Sequence, residues 1–195
     1  MTSSDESPTG ERDLLLCLAQ ALGQDVQRRD LLKRAVTHPS ATGTKPTRKG
    51  GRAHYERLEF LGDRVLGLSI ADLLFERFPQ EAEGALAKRH AALVRGDTLA
   101  GVAEQIGLPD VMITAPNEVE SGLLHNKAAL ANACEAVIAA LYLDGGLEAA
   151  RQFVIAYWTP LILSDVEPPR DAKTSLQEWA QARGLPLTSY RELER

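Results

Sequence analysis

Apolar residues recur at intervals of three and four over residues 13–22, 31–36, 54–78, 86–94, 98–106, 127–143 and 147–163. That is the spacing of helices with one face turned to a core. Glycine, proline or asparagine interrupts most of the gaps, as at Pro79, Gly96, Gly107 and Gly145-Gly146, where a helix is easily ended. Before residue 185, no alternating run is longer than Val111-Met112-Ile113-Thr114. The pattern therefore predicts an all-α domain without internal repeats. Residues 1–10 read as a polar tail and 11–163 as the main domain. Residues 164–171, which carry Pro168-Pro169, read as a linker. A helix is expected from about Ala172, and a short strand over Leu187-Thr188-Ser189-Tyr190-Arg191.

Two of these helices carry acids in unusual company. On 54–78, Leu58, Leu61, Val65 and Leu68 form a stripe, and Phe60, Leu66, Ile70 and Leu73 spread apolar surface around much of the circumference. Such a helix is buried or lies in an interface. Glu56, Glu59 and Asp63 stand at i, i+3 and i+7, which gathers them within about 60° of one another on a helix. They form either a solvated acidic face or, if desolvated, a site for a divalent cation. On 127–143, Glu135 is the only charged side chain between Ala128 and Leu143, and Asn132 precedes it by one turn on the same side. Glu135 is either a satisfied core carboxylate or a second source of ligands.

Composition narrows the classes. The 195 residues are 44% hydrophobic and 25% charged, enough for one packed domain with a small appendage. Net charge is −5, unusual for a protein that binds nucleic acid. Yet between Leu31 and Tyr55 there is no acid, while Lys33, Arg34, Lys45, Arg48, Lys49 and Arg52 are basic. Thr42 to Arg52 is expected to be a loop, either merely solvated or an arm that contacts phosphates. No apolar stretch of membrane-spanning length is expected, and Met1-Thr2-Ser3-Ser4-Asp5-Glu6-Ser7 lacks a signal-peptide pattern, so no membrane association and a cytoplasmic location are expected. Cys17 and Cys134 lie in apolar helical patterns and are expected to be reduced core residues. His38, His54, His90 and His125 are scattered, with no His-Glu-x-x-His and no Glu-x-x-His. The glycines do not form a nucleotide-binding loop, so no nucleotide cofactor is implied.

The string Glu56-Arg57-Leu58-Glu59-Phe60-Leu61-Gly62-Asp63 resembles the signature of the ribonuclease III family, endonucleases that cut double-stranded RNA. Ala35-Val36-Thr37-His38-Pro39-Ser40-Ala41, Leu93 to Ala100, Leu130 to Asp144 and Asp171 to Glu178 resemble further segments of that family in the same order. The resemblance implies the helical ribonuclease III endonuclease-domain fold, a homodimer paired across the signature helix, and Mg²⁺-dependent hydrolysis with Mn²⁺ as a substitute. Staggered cuts would leave 5′-phosphate and 3′-hydroxyl ends. It implies Glu59, Asp63, Asn132 and Glu135 as metal ligands, with Asp63 and Glu135 catalytic. Glu56 and Glu83 would be auxiliary acids near the RNA, and Arg95 would join Lys45, Arg48, Lys49 and Arg52 as RNA contacts. Residues 172–195 resemble the first helix and first strand of a double-stranded RNA-binding domain, expected as a partial module.

One position departs from the family pattern. Asn132 stands where the family has an Asp, so the site loses one of four formal negatives and weaker cation binding is expected. The competing reading is a relative that binds double-stranded RNA or a partner subunit without cutting.

Overall fold

The computed structural model describes residues 16–23, 26–42, 54–164 and 172–185. The expected tail 1–10, nearly all of the 164–171 linker and the strand 187–191 lie outside the described residues, as do Lys45, Arg48, Lys49 and Arg52 of the basic loop. In chain order the helices are α1 (described over 16–21), α2 (Arg29–Ala35), α3 (Pro39–Thr42), α4 (Glu56–Arg77), α5 (Glu83–Leu93), α6 (Gly96–Gln105), α7 (Leu108–Val111) and α8 (Pro116–Glu120). A 3₁₀ turn (Leu123–His125), α9 (Lys127–Ser164) and α10 (Ala172–Gln181) follow. Among the described residues the extended pairing is one parallel bridge, Thr37 to Ile113. The all-α expectation holds.

Helix α9 is the axis on which α2, α4 and α6 pack. From Ala133 to Leu141 every residue except Glu135 is buried, as expected of a helix that is apolar all round. By length and composition α9 could cross a bilayer, against the expectation that no such stretch exists, but 61% of its most apolar window is buried inside the protein. Its girth is covered by other helices. The Asn126 side-chain oxygen accepts from the amides of Ala128 (2.9 Å) and Ala129 (3.1 Å) and so caps its start. Sequence periodicity suggests two helices here, split at Gly145-Gly146. The structure has the same division: Gly146 is non-helical, with a φ of 78° that suits a residue without Cβ, and it marks a kink between two helical segments of α9.

Side chains from α9 tie the ends of the other helices. Asp144 accepts from the backbone amides of Gln27 (3.0 Å) and Arg28 (2.7 Å), capping the entry to α2. The buried Trp158 indole donates to the Leu93 carbonyl at 2.9 Å, at the end of α5. Cys134 is buried as expected, but Cys17 is exposed. Leu18 and Leu22, one turn apart, take the inward side of α1, which turns its neighbour Cys17 outward.

Candidate active site

Helix α4 enters the site through a pinned start. The Tyr55 amide donates to the Thr37 carbonyl at 3.1 Å, and the Arg34 guanidinium donates to the His54 carbonyl at 3.2 Å. The Tyr55 carbonyl accepts from Leu58 (2.7 Å) and Glu59 (2.9 Å), opening the first turn of α4. The Tyr55 ring is 3% exposed and meets the His38 ring edge-on at 5.7 Å. His38 itself is structural: its Nδ1 shares a hydrogen bond with Ser40 Oγ at 2.8 Å, and burial lowers its pKa.

Two turns into α4 there is no room for a side chain. A Cβ on Gly62 would overlap the carbonyl of Glu135 and lie 3.1 Å from its Cα, so α4 and α9 touch backbone to backbone at this point. That approach brings Glu59 of α4 and Glu135 of α9 into electrostatic reach. Glu135 is pushed up to about 7, chiefly by burial and then by Glu59, against a smaller opposing effect of Arg64. Glu59 is also raised, by burial and by Glu56. Both acids are partly desolvated and beside a like charge, which disfavours their charged forms and marks the pair as a functional-site candidate.

The other sequence-predicted residues divide around this pair. Asn132 is partly buried one turn before Glu135; the pKa of the Tyr55 phenol is pushed up to about 12 chiefly by burial and then by Glu59, and the Asn132 side chain lowers it in part. Asp63 is partly exposed and ion-paired with its neighbour Arg64. Glu56 is exposed, with one oxygen 3.7 Å from Nδ1 of the buried His54. Glu83 is exposed in the first turn of α5 and is not among the charges acting on Glu59 or Glu135. Arg95 is exposed at the start of α6, near the 2.8 Å ion pair of Asp97 and Lys127. Among the described residues no three His, Cys, Asp or Glu side chains converge as a metal cluster. Asp63 is engaged by Arg64, and position 132 is an amide.

Two residues of the site were not singled out from the sequence. Gly62 could have been found as an isolated glycine inside a strongly apolar helix, a position that costs stability unless a close approach requires it. Tyr55 gives no such signal, because its role depends on what α9 brings opposite it. The four residues expected as ligands from the sequence, three carboxylates and one carboxamide, offer hard oxygens. That set fits Mg²⁺, Mn²⁺ or Ca²⁺ better than a softer metal.

Residues 28–161 match the Ribonuclease-III-like family. The chain is 42% identical over 184 residues to "Ribonuclease 3" of Anaplasma phagocytophilum (strain HZ), covering 92% of this chain and 75% of the relative. It is 47% identical over 174 residues to "Ribonuclease 3" of Dinoroseobacter shibae (strain DSM 16493 / NCIMB 14021 / DFL 12), covering 89% and 73%. Among solved structures, a ribonuclease III nuclease domain from Campylobacter jejuni superposes with a TM-score of 0.65 at 34% identity, covering 72% of this chain and 93% of that one. Its description names a flexible region involved in dimer formation. With the signature on α4, its acids beside Glu135, and an all-α frame shared with that nuclease domain, the chain belongs to the ribonuclease III family of endoribonucleases.

Proposed function

We propose that this chain cuts double-stranded RNA by Mg²⁺-dependent hydrolysis, leaving 5′-phosphate and 3′-hydroxyl ends, with Mn²⁺ able to substitute. The observation that carries the reading is the pairing of Glu59 and Glu135, two desolvated acids from different helices joined at the Gly62 contact. Glu59, Asp63, Asn132 and Glu135 would hold the cation. Bound there, it would supply the Lewis acidity that activates water and offsets charge at the scissile phosphate. Glu135, with its pKa pushed up to about 7, would have to release its carboxyl proton to solvent in order to hold the cation near neutral pH. Asp63 would hold the cation in place of its present partner Arg64.

The proposed active form is a homodimer. Phe60 (67% exposed), Leu68 (57%) and Phe75 (73%) lie about two turns apart on one side of α4. An exposed aromatic and aliphatic row of this kind suits a two-fold interface, and two chains would supply the two cuts.

Long double-stranded RNA incubated with the chain, with and without Mg²⁺, and resolved on a denaturing gel tests the proposal. Cleavage that requires Mg²⁺, leaves 5′-phosphate ends and is lost in Glu135→Gln is expected. Cleavage that persists in chelator would overturn the cation reading. No cleavage by either the chain or its Asn132→Asp variant would favour the competing reading of binding without turnover.

A further inference from the structure

We propose that His54 is a positioning residue whose buried imidazole holds the Glu56 carboxylate at the start of α4, keeping one more negative charge beside the cation site. The inference rests on the reading above, in which the acids around Glu59 and Glu135 hold a cation. Among the described residues, His54 Nδ1 is the one buried side-chain nitrogen or oxygen without a hydrogen-bond partner. Leaving such an atom unpaired is costly, so its place calls for a physical reason.

The atom faces Glu56. Nδ1 lies 3.7 Å from Glu56 Oε2, too far for a hydrogen bond and close enough to become one with a small movement. That movement must come from Glu56, because His54 is fixed. His54 is 3% exposed, the Arg34 guanidinium donates to its carbonyl at 3.2 Å, and the next amide, that of Tyr55, donates to the Thr37 carbonyl. The Glu56 side chain is 48% exposed and can turn towards the ring. The imidazole proton belongs on Nδ1 in this arrangement. With the proton on Nε2 instead, a bare lone pair would face a carboxylate, unpaired and repelled.

Where Glu56 stands gives the bond a purpose. Glu56 opens α4, three residues ahead of Glu59, so the two side chains leave the same face of the helix. After burial, Glu56 is the cause that raises the Glu59 pKa, so its charge is felt at the site. A carboxylate need not touch a cation to favour its binding, since attraction persists over several ångströms. A freely turning Glu56 would carry that charge out into water, where screening weakens it. A bond to the fixed His54 ring keeps it over the first turn of α4, where the helix dipole also favours an acid.

The test uses the full chain and two measurements. Long-range proton–nitrogen NMR correlation at about pH 8, where free histidine is neutral, reads which nitrogen of His54 carries the proton. Electron paramagnetic resonance of the free ion reads Mn²⁺ binding. The parent should carry the proton on Nδ1, and Glu56→Ala, a change at an exposed side chain, should shift the signal of that nitrogen. His54→Leu and His54→Asn are of similar size, but only the second keeps an N–H near the place of Nδ1. Thermal unfolding in chelator confirms that each is folded. His54→Leu should weaken Mn²⁺ binding about threefold, His54→Asn should recover most of the loss, and in a Glu56→Gln background the two should bind alike. A proton fixed on Nε2, with an Nδ1 signal indifferent to Glu56→Ala, would overturn the proposal. So would a loss in His54→Leu that is the same in the Glu56→Gln background, which would make His54 a mere prop for the start of α4, or no loss at all. If the parent binds no Mn²⁺, the cation reading falls and this role with it, a failure told apart from the others because the NMR response to Glu56→Ala would persist.

Discussion

Gly62 and Glu135 occupy the same small space: the hydrogen on one Cα faces the carbonyl of the other residue, and a methyl group there would overlap that carbonyl. The contact sets the distance between α4 and α9 at the point where their acids meet. Gly62→Ala must therefore push two backbones apart, since no flexible side chain can yield. Overpacking of this kind costs about 1–3 kcal/mol or more, and the glycine's own helix penalty of about 1 kcal/mol, relieved by the change, offsets only part of it. Urea unfolding of Gly62→Ala should show a clear loss of stability. Cleavage by the folded fraction should fall as Glu59 and Glu135 separate. A variant as stable and active as the parent would show that the helices slide at no cost.

The raised pKa of Glu135 gives a stability profile with a definite sign. The folded value, pushed up to about 7, lies above the ordinary value of 4.5, so the folded state holds this proton more tightly than the unfolded chain does. The resulting stabilisation is complete below the ordinary value and is lost as pH rises through about 7. Glu59, raised in the same direction, adds to the trend. In chelator, Glu135→Gln should melt above the parent at pH 8 and close to it at pH 4, the gap opening between. Differential scanning calorimetry across that range checks it, and a gap that opens in the opposite direction would contradict the burial argument.

Much of this was legible in the sequence, and the gaps have physical causes. The helices at 31–36, 54–78, 86–94 and 98–106 each match an observed helix to within a few residues, because their apolar spacing serves one common core. The short helices Pro39–Thr42, Leu108–Val111 and Pro116–Glu120 are too brief to show a period. The acids Glu59 and Glu135 were readable as candidates because each is out of place on an apolar helix. That they meet was not readable, since it depends on backbone contact at Gly62. Cys17 illustrates the opposite error, an apolar pattern that placed a residue inward one position away from the true stripe of Leu18 and Leu22.

Asp144 anchors the entry to α2 from the kink in α9. It accepts from the backbone amides of Gln27 and Arg28, just ahead of α2. Asp144→Ala should cost about 1 kcal/mol, the order of losing hydrogen bonds to an exposed charged acceptor, without touching the acids of the site. Chemical unfolding should show the loss while the Mg²⁺ dependence of cleavage stays unchanged. A shift in that dependence would mean that the α2 end and the site move together.

Asn132→Asp should act with opposite signs with and without a cation. Without one, the change adds a third carboxylate beside Glu59 and Glu135, both already raised by burial and by neighbouring acids, so the variant should melt below the parent in chelator above neutral pH. With a cation bound, the added negative becomes a ligand charge, and affinity should rise about tenfold or more. Melting temperatures of the two proteins should therefore cross as Mn²⁺ is titrated in, because a ligand that binds the folded state stabilises it by RT ln(1 + L/Kd), with L the free ligand concentration. Parallel curves that never cross would place position 132 outside the coordination sphere and leave Glu59, Asp63 and Glu135 to hold the cation alone.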